Sequence, residues 1–349
     1  MSVTYRTKRR LQSLGIFLMV AILVMVFVWM VWLLWLDRYV VYTNDGVKLD
    51  FSLSVDDLQG EVATPPPTGE TIPIHFNEGE EEVTPVTTEL TQIYGYYADA
   101  GMLRKEMATV ISQVEKLPAQ TPVMLDVKDI SGRFYFSTAL GVETDPNMDI
   151  EAVDALIELL QEKNLYAIAR IPAFRDRLHG LHNVPHGLYH TSGKYLWMDG
   201  TRCYWLNPTK EGTLNYLMEI VAELKALGFD EVVFDDFRFP DTDQIKFYDD
   251  RDEAIKNAAA FLTASLATKN FAVSFVSNSY FPLPEGRTRM YITNINAADV
   301  VELEAQMSLD LTEARMVFLT DSRDTRFESY SILRPITSEI VDLPATETE

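Results

Sequence analysis

Charged side chains follow four apolar runs of this sequence that have the length and composition of buried β-strands. Carboxylates in such positions suggest glycoside hydrolysis, because two carboxylates across a sugar ring can cleave a glycosidic bond. Nearby arginines can hold a carboxylate ionised or bind an acidic substrate. The residue types alone favour a simpler interpretation, a structural network of ion pairs. In chain order, the candidates are Asp126, Lys128, Asp129, Arg170, Arg175, Asp176, Asp235, Asp236, Arg238, Glu302 and Glu304.

The alternation of side chains along a strand limits which of these candidates can act together. Asp126 and Lys128 share one face if their strand continues, and Asp129 lies on the other face. By the same rule Asp235 and Asp236 cannot both point inward if their strand continues through them.

Aromatic residues accompany the charges. Trp197 and Trp205 lie close to Asp199 and Asn207 in a segment that connects two predicted elements. Indole rings can stack on the faces of sugars, but a single Trp is as often part of a hydrophobic core. The sequence leaves both interpretations open, and Trp205 is the candidate for substrate binding.

Four histidines occur within one short segment, at a spacing that can bind zinc. Gly180, Pro185 and Gly187 interrupt that segment and disfavour a regular helix that would present the rings together. A loop near the site is the favoured interpretation, and no metal or other cofactor is predicted. The histidines are His179, His182, His186 and His190.

Apolar runs of strand type alternate with amphipathic helical stripes, which predicts an α/β fold. An alternation of this kind over about 250 residues is typical of a (β/α)8 TIM-type barrel, and the last third is the irregular part. An open doubly wound sheet is the alternative, but no Gly-x-Gly-x-x-Gly follows the first strand. The predicted strands are residues 93–97, 123–127, 165–171, 231–234, 271–276, 300–303 and 316–319; the helical stripes are 103–114, 153–160, 214–224 and 255–266.

The N-terminal region predicts a signal anchor. Residues 14–36 are uncharged and would span ~35 Å as a helix, enough to cross a ~30 Å hydrocarbon core. Basic residues precede the run, so the N-terminus is expected in the cytoplasm and the large domain outside the cell. A cleaved signal peptide is the alternative, but its apolar core would be shorter. The predicted domains are a basic tail at 1–13, a transmembrane helix at 14–36, a hairpin region at 37–60, a Pro/Glu-rich linker at 61–89 and a barrel at 90–345.

Composition limits the partners. The net charge is −22, which is unsuited to nucleic acid. Cys203 is the only cysteine, so no disulfide or multi-cysteine zinc site can form within the chain. An exported protein that does not depend on oxidative folding, as in many bacteria, fits this pattern.

Several motifs in consistent order resemble a bacterial family of glycoside hydrolase-like barrel domains, over residues 92–240. The resemblance implies a TIM-type barrel and, by inference from that fold, activity on a polysaccharide or oligosaccharide. The motifs are Asp126-Val127-Lys128-Asp129 followed by Gly132, Ile168-Ala169-Arg170-Ile171 followed by Phe174-Arg175-Asp176, Trp197-Met198-Asp199-Gly200, Trp205-Leu206-Asn207-Pro208, Gly228-Phe229-Asp230-Glu231 and Phe234-Asp235-Asp236-Phe237-Arg238-Phe239-Pro240.

The resemblance assigns roles to particular residues. Asp235 takes the position of the family's aspartate and is the predicted nucleophile or base, while Asp236 replaces a tyrosine. Residues 271–278 lack the acidic residue that such families often carry there, so Glu302 is the candidate for the second carboxylate. The predicted substrate-binding residues are Asp126, Lys128, Arg170, Asp176, Trp205, Asp236 and Arg238.

Three functions are compatible with these observations. The first is a membrane-anchored extracellular glycoside hydrolase that acts on a cell-envelope or environmental polysaccharide. The alternatives are a noncatalytic glycan-binding domain that lacks the acid, and an envelope scaffold built on the same barrel.

Overall fold

The computed structural model describes residues 25, 29, 40–43, 46–49, 90–277, 281, 283–307 and 312–337. The chain divides into two units, residues 1–81 and 82–349. In the first unit, β1 (Val40–Thr43) and β2 (Gly46–Leu49) pair antiparallel, which confirms the predicted hairpin. Among the described residues no helix is both long and apolar enough to cross a membrane. The anchor predicted at 14–36 and the linker at 61–89 fall outside the described residues, apart from residues 25 and 29.

The second unit is a closed barrel of eight parallel strands, which confirms the predicted TIM-type fold and excludes the open sheet. Each strand pairs with the next along the chain, and the last pairs with the first. The strands are β3 (Tyr94–Ala98), β4 (Pro122–Asp126), β5 (Tyr166–Pro172), β6 (Glu231–Asp235), β7 (Ala272–Val276), β8 (Met290–Thr293), β9 (Met316–Leu319) and β10 (Ser331–Pro335).

Helices connect most of the strands. They are α1 (Ala100–Lys105), α2 (Met107–Val114), α3 (Ile150–Glu162), α4 (Arg177–His182), α5 (Glu211–Ala226), α6 (Arg251–Leu266), α7 (Val300–Met307) and α8 (Thr312–Arg315). The stripe at 103–114 is divided between α1 and α2 at Glu106. No helix occurs among the described residues between β7 and β8.

The structure corrects two predictions in the last third of the barrel. The strand expected at 300–303 is wrong, because these residues begin α7, and a short apolar run fits either period. In the irregular last third the structure adds β8, where no strand was predicted, because its four residues are too few to show a pattern. β10 had no predicted counterpart.

Alternation along the strands separates two apolar layers. Val123 and Leu125 face the helices in the larger core, whereas Met124 lies in a smaller cluster inside the barrel. Ile168 and Val233 belong to the same inner cluster. Because side chains two residues apart share a face, the residues that follow these three by two positions point into the carboxyl end of the barrel.

The amino-terminal end of the barrel is filled by a polar network around Glu231, whose side chain is fully buried. The carboxylate accepts hydrogen bonds from the hydroxyls of Tyr166 at 2.9 Å, Ser274 at 2.5 Å and Tyr291 at 2.9 Å. Arg289 donates to it at 2.6 Å and also donates to two backbone carbonyl oxygens. The buried charges therefore have partners, as their desolvation requires.

Candidate functional site

The carboxyl end of the barrel brings together the inward residues Asp126, Arg170 and Asp235. Arg170 donates two hydrogen bonds to Asp126, Nε to Oδ1 at 2.6 Å and Nη2 to Oδ2 at 3.0 Å. Strand register places Asp126 level with Arg170, and Asp235 level with Pro172. Burial acts to lower the pKa of Arg170, but Asp126, and less strongly Asp235, outweigh it and raise that pKa. Asp126 and Arg170 thus form an ion pair at the mouth, and Asp235 lines the same cavity.

The strand does not continue through the Asp-Asp pair. β6 ends at Asp235, and Asp236 follows with a φ of 48°, in the left-handed region. The Asp236 N–H donates to Oδ1 of Asp235 at 2.7 Å. This turn takes Asp236 out of the strand alternation, and both carboxylates line the same two cavities.

Asp236 is partly buried between two arginines. Its carboxylate lies 3.7 Å from a nitrogen of Arg175 and 3.7 Å from a nitrogen of Arg238. Burial and the neighbouring Asp235 raise the pKa of Asp236, although both arginines oppose the rise. A carboxyl group with a raised pKa, next to a second carboxylate, is suited to donate a proton.

Asp199 holds one of these arginines in place. Its Oδ2 accepts from Nε of Arg175 at 2.8 Å and from the indole of Trp205 at 3.0 Å. Burial acts to raise the pKa of Asp199, but hydrogen bonds from Thr201, Cys203 and Trp205 lower it to about 2. Asp199 is therefore a stable anion that orients Arg175 towards Asp236.

Trp205 is buried, and both Arg175 and Arg238 lie over its ring, at 5.7 and 5.2 Å from the centroid. The structure thus places Trp205 beneath the arginines, and this packing favours a supporting role over direct stacking on a sugar. Its role as a substrate-binding residue stays a prediction.

Lys128 and Asp176, both predicted to bind substrate, form an ion pair at 2.6 Å in which each side chain is 0% exposed. Asp176 also caps α4 by accepting from the His179 N–H, and it accepts from the Tyr216 hydroxyl at 2.9 Å. Gly132 lies against Asp176 with a φ of 91°, where a Cβ atom would clash. This burial favours a structural role for the pair, which fixes the loop after β5.

Two of the four histidines, His179 and His186, pack against each other. Nε2 of His179 lies 2.9 Å from Nδ1 of His186, and the His179 ring stacks on Tyr216 at 3.7 Å between centroids. Burial is the main cause that lowers the pKa of His179 to about 4. Within the described residues, no group of three or more His, Cys, Asp or Glu side chains is arranged to hold a metal ion.

Glu302 lies on α7 and is exposed, so it does not occupy the strand end on which its selection rested. Glu302 lines a separate cavity of 260 Å³. Thr293 lines both this cavity and the one that Asp235 lines. Glu304 accepts from the hydroxyls of Tyr330 at 2.6 Å and Thr312 at 3.0 Å, a structural contact. The catalytic role of Glu302 stays a prediction.

Sequence reasoning missed Tyr97 and Asp99, which follow the first barrel strand. Burial and Asp99 are the leading causes that raise the pKa of Tyr97, and Arg170 and Asp126 also act on it. Tyr97 therefore belongs to the mouth. The signal that could have found it is its position at the end of β3, two residues before the aspartate that caps α1.

Two cavities open beside the Asp-Asp pair. The larger has a volume of 1060 Å³ and runs from Asp235 and Asp236 towards the start of α6. The smaller has a volume of 210 Å³ and is lined by Asp126, Arg170 and the Asp-Asp pair. Asp235 therefore stands where the two cavities meet, at the face on which TIM barrels place their chemistry.

The profile of a family described as "Putative glycosyl hydrolase domain" matches residues 94–283, more than half of the chain. The chain belongs to this family. The match covers the strands from β3 to β7, and with them the residues at the mouth. The curated proteins gave no match.

Several solved structures resemble this member of the glycosyl hydrolase family. A hypothetical protein from Ruminiclostridium thermocellum is 20% identical, with 52% of this chain and 96% of that chain covered and a TM-score of 0.44. The glycoside hydrolase domain of PelA from Pseudomonas aeruginosa is 13% identical, with 70% and 94% covered and a TM-score of 0.44. The alpha-galactosidase from Lactobacillus brevis is 12% identical, with 74% and 39% covered and a TM-score of 0.48.

Proposed function

We propose that this chain is a membrane-anchored, extracellular glycoside hydrolase that cleaves a cell-envelope or environmental polysaccharide. The observation that carries the proposal is the Asp235-Asp236 pair at the end of β6, with the pKa of Asp236 raised by burial and by Asp235. Both carboxylates face a cavity of 1060 Å³, which has the size of a ligand site.

In the proposed reaction Asp236, protonated, gives its proton to the glycosidic oxygen as the bond to the leaving sugar breaks. The Asp235 carboxylate stabilises the positive charge that develops at the anomeric carbon and takes a proton from the water that forms the new bond to this carbon. Arg170 and Asp126 neutralise each other and keep the floor of the mouth fixed. Arg175 and Arg238 limit how far the pKa of Asp236 rises, and they stabilise the carboxylate that remains once the proton has been given up.

The location of the chain is a part of the proposal that rests on the sequence. Residues 14–36 would anchor the domain, with the basic tail in the cytoplasm. Protease treatment of intact cells tests this: the barrel should be degraded from outside while an epitope at the N-terminus is protected. Recovery of the full chain in the soluble fraction after cell lysis would contradict the anchor.

The catalytic proposal is tested with the full-length chain and a panel of bacterial-wall and plant polysaccharides, by measuring released reducing ends. We expect release by the wild type and a loss of about 10²–10⁴-fold in Asp235→Asn and Asp236→Asn, the usual contribution of an acid or base. Asp243→Asn is the matched control, because Asp243 is an exposed carboxylate on the same connection after β6.

Equal activity in Asp235→Asn and the wild type would exclude Asp235 from the mechanism. The competing function, glycan binding without turnover, has one observation in its favour: β7 ends at Val276, Ser277 follows it, and neither residue is a carboxylate. Measurable affinity for a glycan, with no reducing ends released from any member of the panel, would favour this alternative.

A further inference from the structure

A further cavity, of 640 Å³, lies apart from the mouth and is lined mainly by the long connection between β5 and α5. Its volume falls within the range of ~300–1,000 Å³ for small-molecule sites. The cavity is lined by Tyr195, Trp197 and Tyr204, by the apolar side chains of Leu181 and Met198, and by a few polar groups. A ligand site needs this combination of apolar walls and sparse polar groups.

The aromatic walls are held in place and remain accessible. The Tyr195 ring stacks on His190 at 4.8 Å between centroids, yet the residue is 55% exposed. The Trp197 indole donates to Oε1 of Gln244 at 3.3 Å. One face of a sugar ring consists of C–H groups, which the negative face of an aromatic ring attracts, while its hydroxyls reach outward to polar neighbours.

The charge around the cavity is opposite to that of the chain. The net charge of the chain is −22, but Lys194 and His190 line the cavity, and none of the described residues that line it is a carboxylate. The Lys246 ammonium lies 3.3 Å from the position that a Cβ atom on Gly193 would take, beside Lys194. The ion pairs found among the described residues include neither lysine. Such a concave basic site in an acidic surface selects anions.

The cavity is connected to the mouth through the backbone. The connection that contains Tyr189 and Thr191 pairs with residues 244–246, which follow the Asp-Asp pair along the chain. On the other side, Asp199 lies two residues after Trp197 and holds Arg175 against Asp236. A glycan that fills the cavity would therefore contact segments that are linked to the mouth.

We propose that this cavity is a remote subsite for an anionic glycan, in which Tyr195 stacks on a sugar ring while Lys194 and Lys246 pair with its carboxylate or phosphate group. The inference deepens the proposed function and rests on it, in that it takes the ligand to be a glycan. It adds the chemical class of the polysaccharide, which the carboxylates at the mouth do not define.

Calorimetric titration of the full-length chain carrying Asp235→Asn tests the subsite without turnover. The probes are oligogalacturonate, a neutral galacto-oligosaccharide of equal length and a glycerol-phosphate oligomer. We expect tighter binding of one or both anionic probes than of the neutral one, and weaker binding as salt is added. Tyr195→Ala should raise Kd about tenfold, and Lys194→Gln about threefold.

Matched controls distinguish the cavity from general surface effects. Tyr248 is 85% exposed and does not line the cavity, and Lys116 is exposed on the far connection after α2, so Tyr248→Ala and Lys116→Gln should leave Kd unchanged. Equal affinity for neutral and anionic probes, no binding of any probe, or a Kd that Tyr195→Ala does not alter would each overturn the subsite.

Turnover assays on the same preparations distinguish the two proposals. If the anionic probes bind as expected and the wild type releases no reducing ends, the subsite stands and the hydrolase proposal fails. If the wild type cleaves a glycan and Tyr195→Ala changes neither its KM nor the Kd of the probes, the hydrolase stands and the subsite fails.

Discussion

Both ends of the barrel contain carboxylates and arginines, but the two ends differ in how completely these groups are buried and hydrogen-bonded. At the amino-terminal end Glu231 is fully buried, and Arg289 and three hydroxyls satisfy it at hydrogen-bond distances. At the carboxyl-terminal end Asp236 is half-buried, and its arginines stand 3.7 Å away. In the first network the charged groups are fully paired with one another. In the second, the carboxyl group of Asp236 has a raised pKa and lies beside open cavities.

The comparison separates stability from chemistry within one fold. A buried carboxylate whose partners are complete has little capacity left for a ligand, and its removal should unfold the protein. A carboxylate with loose partners can exchange a proton or bind substrate, and its removal should leave the fold intact. Perturbed groups in clefts are candidates for function for this reason.

The largest expected effect on stability follows from removing the arginine partner of the buried Glu231 carboxylate. Arg289→Met removes the cation beside Glu231, and an uncompensated buried charge costs about 3–5 kcal/mol in the free energy of unfolding. Denaturant unfolding of the full-length chain measures the loss. The double variant Glu231→Gln, Arg289→Met should recover part of it, because no buried charge then remains. An unchanged unfolding midpoint in the single variant would refute the assigned role of this end.

A smaller effect is expected at Asp199, which stabilises the fold as an anion. The pKa of Asp199 is about 2 in the folded chain, below its ordinary value, so its contribution is present above pH ~4 and is lost as pH falls towards 2. Asp199→Asn should cost about 1–2 kcal/mol above pH 4. The thermal midpoints of the two proteins should converge on acidification, and parallel curves down to pH 2 would contradict the assignment.

Removal of one hydroxyl group tests the amino-terminal end of the barrel with a smaller expected loss of stability. Tyr166→Phe deletes a hydrogen bond to Glu231 and a longer one from Arg289 but leaves the ion pair between those two residues, so we expect a loss of about 1 kcal/mol. Tyr195→Phe, at an exposed ring, is the control and should change the free energy of unfolding by much less. A loss as large as that of Arg289→Met would mean that the network does not compensate as described.

The smallest expected effect concerns the pKa of Asp236 at the carboxyl-terminal end of the barrel. Arg238 is largely exposed and acts to lower the pKa of Asp236, so Arg238→Gln should raise that pKa slightly. A general acid works while protonated, and its limb of the pH–rate profile should therefore move to higher pH. The shift should shrink in high salt. A shift to lower pH would remove Asp236 from the role of acid.

The sequence was informative wherever alternation and length were clear. The pattern around Asp126 and Asp235 placed both at strand ends, and the structure points them inward because Met124 and Val233, two positions earlier, lie inside the barrel. Alternation excluded an inward position for both Asp235 and Asp236 only in a continuous strand, and the positive φ of Asp236, which ends that continuity, was not predicted.

Other features depend on three-dimensional neighbours that no local pattern contains. Lys128 and Asp176 are far apart in sequence, so their complete mutual burial follows only from strand register. Glu302 was chosen from an apolar run that is equally compatible with a helix, and α7 shows which period applied. The basic cavity around Tyr195 forms from two connections that meet only in the folded chain.

Closure of the barrel has a consequence for how the chain is made. The Ile93 N–H donates to Oγ of Ser331 across 238 positions of sequence, and β3 pairs with β10. β3, the first barrel strand to leave the ribosome, therefore cannot pair with β10 until the last strand has been synthesised. Contacts of such long range slow folding. Until β10 arrives, two unpaired edges are exposed to other chains. Truncation before Ser331 should therefore give an aggregating product rather than a smaller barrel.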